Sequence, residues 1–181
     1  LSRAGKADDA IEEYRETLRL TPGNTWAHMC LTDLYERRDR VAEAITDFAT
    51  AIEIEPRFFH PYPHLCDLLL RRGGEIKDPA LLDPLVEAVE KAIQQGMDEP
   101  FAWGVLALAR LQSQRMKDSR RACELARRAV EATERSRPEF LAILARAMWD
   151  LGEQAPAVRV LEEALRLPHT HPFFEETGRE Y

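Results

Sequence analysis

No run of apolar residues in this sequence approaches the roughly 18 that a helix needs to cross a bilayer, which sets a membrane-spanning role aside. Basic residues are in the minority. The 25 Lys and Arg against 32 Asp and Glu leave a net charge of -7, which disfavours a general role on nucleic acid, whose phosphates need a basic surface. Cysteine is scarce too. Cys30, Cys66 and Cys123 are odd in number, widely spaced and flanked by apolar residues, so they read as buried thiols of a reducing, cytoplasmic compartment. There is no glycine-rich phosphate loop, no nucleophile motif and no cysteine pair at zinc spacing. The neighbouring carboxylates Glu12-Glu13, Glu162-Glu163 and Glu175-Glu176 point apart on a helical surface and do not face one pocket as acid and base. These absences count against an enzyme, and against a metal or cofactor.

What the sequence does have is a repeated amphipathic unit. Between Trp26 and Pro56, Ala27, Leu31, Leu34 and Tyr35 recur at spacings of three and four, and Ala44, Ile45, Phe48, Ala51 and Ile52 do so again after the polar Arg38-Asp39-Arg40. That is a helical hairpin, stopped by Pro56. Two helices this short cannot bury both apolar stripes against each other alone, so the unit requires neighbours. With 181 residues, 45% hydrophobic and 31% charged, the chain is long enough to supply them in one continuous core.

Shifting the sequence by 34 residues aligns Ala10 with Ala44, Tyr14 with Phe48, Leu18 with Ile52 and Pro22 with Pro56. A helical hairpin at this period means a stacked array. The pattern resembles the tetratricopeptide repeat family, with Ala44, Phe48, Ala51 and Pro56 in the places of its small residue, aromatic, second small residue and closing proline. Trp103, Leu106 and Ala107 stand in the places of its tryptophan, leucine and small residue. The resemblance implies an all-α, right-handed superhelical array of antiparallel helical hairpins, with four complete repeats, a leading half repeat and a C-terminal cap. Its approximate units are 1–23 (partial), 24–57, 58–98, 99–136 and 137–168, followed by a tail at 169–181.

Helix punctuation fills in the units. Thr25 or Asn24 is expected to cap the first complete hairpin, and Pro61 and Pro63 to open the next one, which Gly73-Gly74 closes after Arg72. The spacing from Ala51 to Ala92 is 41 residues, and the excess falls in an insertion at 73–84 that carries Asp78-Pro79 and Asp83-Pro84. It is expected to be a surface loop, with a functional lip as the alternative. In the last hairpin Leu144, Ala145 and Met148 are expected to line the first helix, and Ala157, Leu161, Ala164 and Leu165 the second. A short helix around Phe173 to Thr177 is expected to cap the stack.

In the resembled family the first helices of successive repeats line a concave groove that receives a peptide or a partner helix. That geometry implies a groove formed by Trp26, Met29, Asp33, Glu36 and Arg37, then by His60, His64, Asp67 and Arg71, and finally by Phe101, Val105 and Leu108. It would be polar at one end and apolar at the other, with aromatic anchors beside charge. Asp33 and Asp67 stand where the chaperone-tail-binding subgroup carries carboxylate-holding Lys and Asn, so a ligand with a basic segment is expected instead. Trp26 and His60 can equally be packing residues at the hairpin junctions. His60, His64, Cys66 and Asp67 are close in sequence, but Pro61 and Pro63 put His60 outside the helix, so no metal site is expected. Between Arg115 and Arg137 eight basic residues outnumber four acidic ones. Arg120, Glu124, Arg127 and Glu131 are expected to alternate along one exposed helical face, or to dock an acidic partner.

The function these features support is a protein-interaction scaffold binding a peptide or partner helix. The alternative is the regulatory or scaffolding repeat region of a larger signalling enzyme, such as a bacterial serine/threonine kinase or a glycosyltransferase. Leu1 to Gly5 reads as the tail of a helix followed by a turn, so the chain is expected to be a piece of a longer protein. Ile11, Tyr14 and Leu18 are expected to be bare on the side that a missing helix would cover, which makes self-association through this end a further possibility.

Overall fold

The computed structural model describes residues 3–21, 23–59 and 61–168, with the side chains of residues 3–7 and 25 outside the described set. Among these residues the chain is all helical. The helices are α1 (Arg3–Leu20), α2 (Thr25–Arg37), α3 (Val41–Ile54), α4 (Pro61–Arg72), α5 (Leu82–Gln94), α6 (Pro100–Gln112), α7 (Ser119–Ala132), α8 (Pro138–Asp150) and α9 (Gln154–Arg166). Two short 3₁₀ turns, Gly73–Glu75 and Pro79–Leu81, separate α4 from α5.

Local chemistry sets the boundaries. The Asn24 side chain accepts a hydrogen bond from the Ala27 N–H at 3.0 Å and caps α2, while Asp118 does the same for α7 through the Arg121 N–H at 2.9 Å. Proline opens α6 and α8, where its missing N–H costs no helical bond. Gly96 after α5 and Gly152 after α8 take φ of 96° and 84°, a left-handed conformation that L side chains rarely adopt. α1 runs unbroken through Gly5, where a turn was expected.

The helices pack as hairpins in series. α2 packs on α1 and α3, α6 on α7, and α8 on α9, while α4 packs on α6 and the edge of α3. α5 bridges the stack by packing on both α3 and α6. One continuous core runs from Ile11 to Ala164, with Phe48, Tyr62, Leu65, Leu85, Leu106 and Phe140 among its fully buried members.

Three expectations change here. Ile11 is buried beneath α2, and Tyr14 and Leu18 pack against the same core, so the front of the stack is not the bare apolar face expected. α1 instead turns Glu12, Glu13 and Glu16 outward. The insertion at 73–84 is more tightly held than a loop: Gly73 and Leu82 are buried, Ile76 packs on the core, and Leu82 already belongs to α5. The third concerns α9. Its Ala157 and Ala164 are buried as expected, but Leu161 and Leu165 are 45% and 67% exposed. The expected capping helix around Phe173 to Thr177 lies outside the described residues, as does Pro22.

Candidate functional site

A cleft of about 290 Å³ opens between α2 and α4, floored by Phe48 of α3. Its walls are Trp26, Met29, Cys30, Thr32, Asp33, Glu36 and Arg37 from α2, and His64, Asp67 and Arg71 from α4. Residues 26, 29, 33, 36 and 37 fall on one face because a helix brings positions three and four apart into line. His64, Asp67 and Arg71 do the same on the facing helix. Eight of the expected groove residues are therefore brought together, and His60 lies outside the described residues.

Charge in the cleft is organised around two arginines. Arg37 donates to Asp33 at 2.9 Å, and Arg71 donates to Asp67 while lying 3.7 Å from Glu36. Three carboxylates thus face two guanidiniums. Glu36 is half-buried, and burial raises its pKa above the ordinary carboxylate value; Arg71 opposes the shift, while Asp67 and Asp33 add to it. A further cation entering the cleft would relieve that crowding of negative charge. Trp26, 69% exposed at the rim, offers an aromatic face beside the carboxylates.

A part-buried pair that sequence spacing did not flag braces the α2 wall. The His28 Nδ1 lies 3.0 Å from the Asp47 Oδ1 of α3, and the Thr32 hydroxyl donates to the His28 carbonyl at 2.8 Å. His28 and Asp47 are 19 residues apart, so only the hairpin's closure brings them together. Outside this contact, Arg72 bridges Asp39 in the α2–α3 turn and Glu75 after α4, tying the two walls together at one end of the cleft.

The apolar end of the expected groove is not open. Val105 and Leu108 are 0% and 3% exposed and belong to the core. The reason is the close approach of α8 to α6: a Cβ on Gly104 would lie 2.9 Å from the Phe140 ring, so glycine makes room for that ring. Phe101 is half-buried and packs edge-on, its ring centroid 5.0 Å from Phe140 and 6.3 Å from Phe59, with the Arg137 guanidinium 5.4 Å above it. Trp103 is buried under Arg128, 4.0 Å from its ring.

Other expectations are redistributed. Cys30 is half-buried in the cleft and not in the core, whereas Cys66 and Cys123 are buried. Burial pushes the Cys66 thiol well above its ordinary pKa, which suppresses thiolate chemistry. Among the described residues no group of three or more His, Cys, Asp or Glu is placed to hold a metal. The basic stretch of α7 is engaged elsewhere than expected: Arg121 pairs with Glu124 at 3.0 Å, Arg127 with Glu153 at 4.0 Å, and Arg128 with Asp98. Arg120, Glu124, Arg127 and Glu131 are all exposed, as expected, but only Arg121–Glu124 lies along α7, while Arg127 and Arg128 pair with residues outside it.

No family model matches the chain. Tetratricopeptide repeat protein 14 of Mus musculus is 28% identical to it over 109 residues, which is 60% of this chain and 14% of that protein. Among solved structures, a crystal structure of MamA superposes with a TM-score of 0.55 over 98% of this chain and 94% of that one, at 18% identity. MamA from residue 41 to its end, from Desulfovibrio magneticus RS-1, superposes with a TM-score of 0.58 over 99% and 90%, at 13% identity. At such identities the structural likeness shows the fold, an all-α array of tetratricopeptide-like hairpins.

Proposed function

We propose that this chain is a protein-interaction scaffold whose α2–α4 cleft takes a peptide or partner helix presenting a basic side chain next to an apolar one. The observation that carries the reading is the cleft's composition, three carboxylates against two guanidiniums beneath an exposed Trp26. A guanidinium or ammonium would sit among Asp33, Glu36 and Asp67 while its aliphatic stem packs on Trp26 and Met29. The packed core on either side holds the walls in place before a ligand arrives, which lowers the ordering cost of binding. The wider scaffold role follows the tetratricopeptide-like fold, and the basic-peptide preference follows the cleft.

Selection of a random peptide library on the full chain tests the reading. Enrichment of Lys or Arg beside an aliphatic or aromatic residue is expected, as is at least about a tenfold loss of affinity for the Asp33→Lys chain, in which attraction becomes repulsion. Peptides that bind the parent and Asp33→Lys chains equally would place the site elsewhere.

A further inference from the structure

The three carboxylates of the α2–α4 cleft are not equivalent. Arg37 holds Asp33 and Arg71 holds Asp67, each pair one turn apart on its own helix. Glu36 is left out of this pairing. It accepts a hydrogen bond from no described residue, and the Arg71 guanidinium stops at 3.7 Å. Its side chain is 29% exposed, so it is drawn out of bulk water yet still open to the cleft. Both of its oxygens can therefore accept from a donor that arrives there. Two free acceptors on one planar group match the fork of a guanidinium, which donates two parallel N–H bonds where an ammonium acts as a point charge.

The other charged and titratable groups that face Glu36 are Cys30, Asp33 and Arg37 on α2, and His64, Asp67, Arg71 and Arg72 on α4. From α3 the cleft receives the Phe48 ring, while Asp47 is turned to His28; no described α1 side chain lines it. Burial raises the Glu36 pKa, Arg71 opposes the shift, and Asp67 and Asp33 add to it. A ligand cation at hydrogen-bond distance would act in the same sense as Arg71 and favour the ionised form. Binding and protonation of Glu36 therefore compete.

We propose that Glu36 is the specificity-determining residue of the cleft, taking the guanidinium of a ligand arginine as a two-point ion pair and releasing it when protonated. The inference rests on the basic-peptide reading above. When the guanidinium meets a protonated Glu36, the carboxyl proton passes to solvent and the ligand keeps its own charge. Acid reverses the exchange, so affinity falls as pH falls.

The test uses the full 181-residue chain and a dye-labelled Ser-Leu-Arg-Leu-Ser peptide, with the same peptide carrying citrulline, the neutral isostere, in place of arginine. At pH 7.5 the citrulline peptide should bind the parent chain about tenfold more weakly. Glu36→Gln should erase most of that difference while still folding, since glutamine keeps the shape and removes a half-buried charge. From pH 7.5 to 5, arginine-peptide affinity should fall several-fold for the parent chain and stay level for Glu36→Gln. An arginine preference that Glu36→Gln keeps in full overturns the assignment. So does a pH-dependent fall that persists in Glu36→Gln, or one that His64→Asn abolishes. Equal binding of the arginine peptide to the parent and Asp33→Lys chains is a separate result, which rejects the cleft as the site and the role of Glu36 with it.

Discussion

Between α2 and α4 the first helices of neighbouring hairpins stand apart and enclose a cleft, whereas between α6 and α8 the corresponding pair closes on itself. Residue size and charge account for the difference. Where α6 meets α8, Gly104 faces the ring of Phe140 and the end of Ile143, which interlock with no polar group to solvate. Where α2 meets α4 they are Asp33, Glu36, Arg37, Asp67 and Arg71, charged side chains that pair with each other and are costly to bury. The α6–α8 pair is thus packed without a gap, and the α2–α4 pair leaves a polar cleft.

Breaking the closed end should have the largest effect. Phe140→Ala leaves a cavity above Gly104 and should cost about 3–5 kcal/mol of stability in urea unfolding. Gly104→Val drives a side chain into the Phe140 ring and should cost about 1–3 kcal/mol. At the open end the cost falls. His28→Ala strands Asp47 and the α2 wall at about 1–3 kcal/mol, with peptide affinity falling alongside stability. Trp26→Ala, at an exposed rim, should change stability by no more than about 0.5 kcal/mol while weakening peptide binding.

The smallest effect, and the one that sharpens the contrast, is in pH. Burial raises the folded pKa of Glu36, so its contribution is full below the ordinary carboxylate pKa and is lost as pH rises through the folded value. Glu36→Gln should therefore stabilise the chain at neutral pH, by no more than about 1 kcal/mol, and lose that advantage in acid. Glu163 has the opposite sign, because its hydrogen bond from Arg135 lowers the folded pKa. Its contribution is present at neutral pH and lost as pH falls through that lowered value, so Glu163→Gln should be mildly destabilising at neutral pH only. Unfolding midpoints across pH 3–8 separate the two.

Much of this was legible in the sequence. The helical hairpins follow from spacing, and the eight cleft residues from the groove that the tetratricopeptide resemblance implies, placed by helical spacing, since a helix puts positions three and four apart on one face. Spacing reports which face a residue occupies, not how close the neighbouring helix comes. Val105 and Leu108 lie on the groove-side face and are nonetheless buried, because Gly104 admits Phe140. Likewise Leu161 and Leu165 carry the core pattern, but burial depends on a neighbouring helix covering that face, and among the described residues none does. The His28–Asp47 contact was hidden because its partners lie on different helices of one hairpin.

The central claim, that the open end binds and the closed end supports, is tested most directly by hydrogen exchange on the full chain. Exchange would be measured with and without the tightest peptide from the library selection. The account predicts slowed exchange in α2 and α4 and none in α6 and α8. Slowing confined to α6 and α8, with α2 and α4 unaffected, would contradict it.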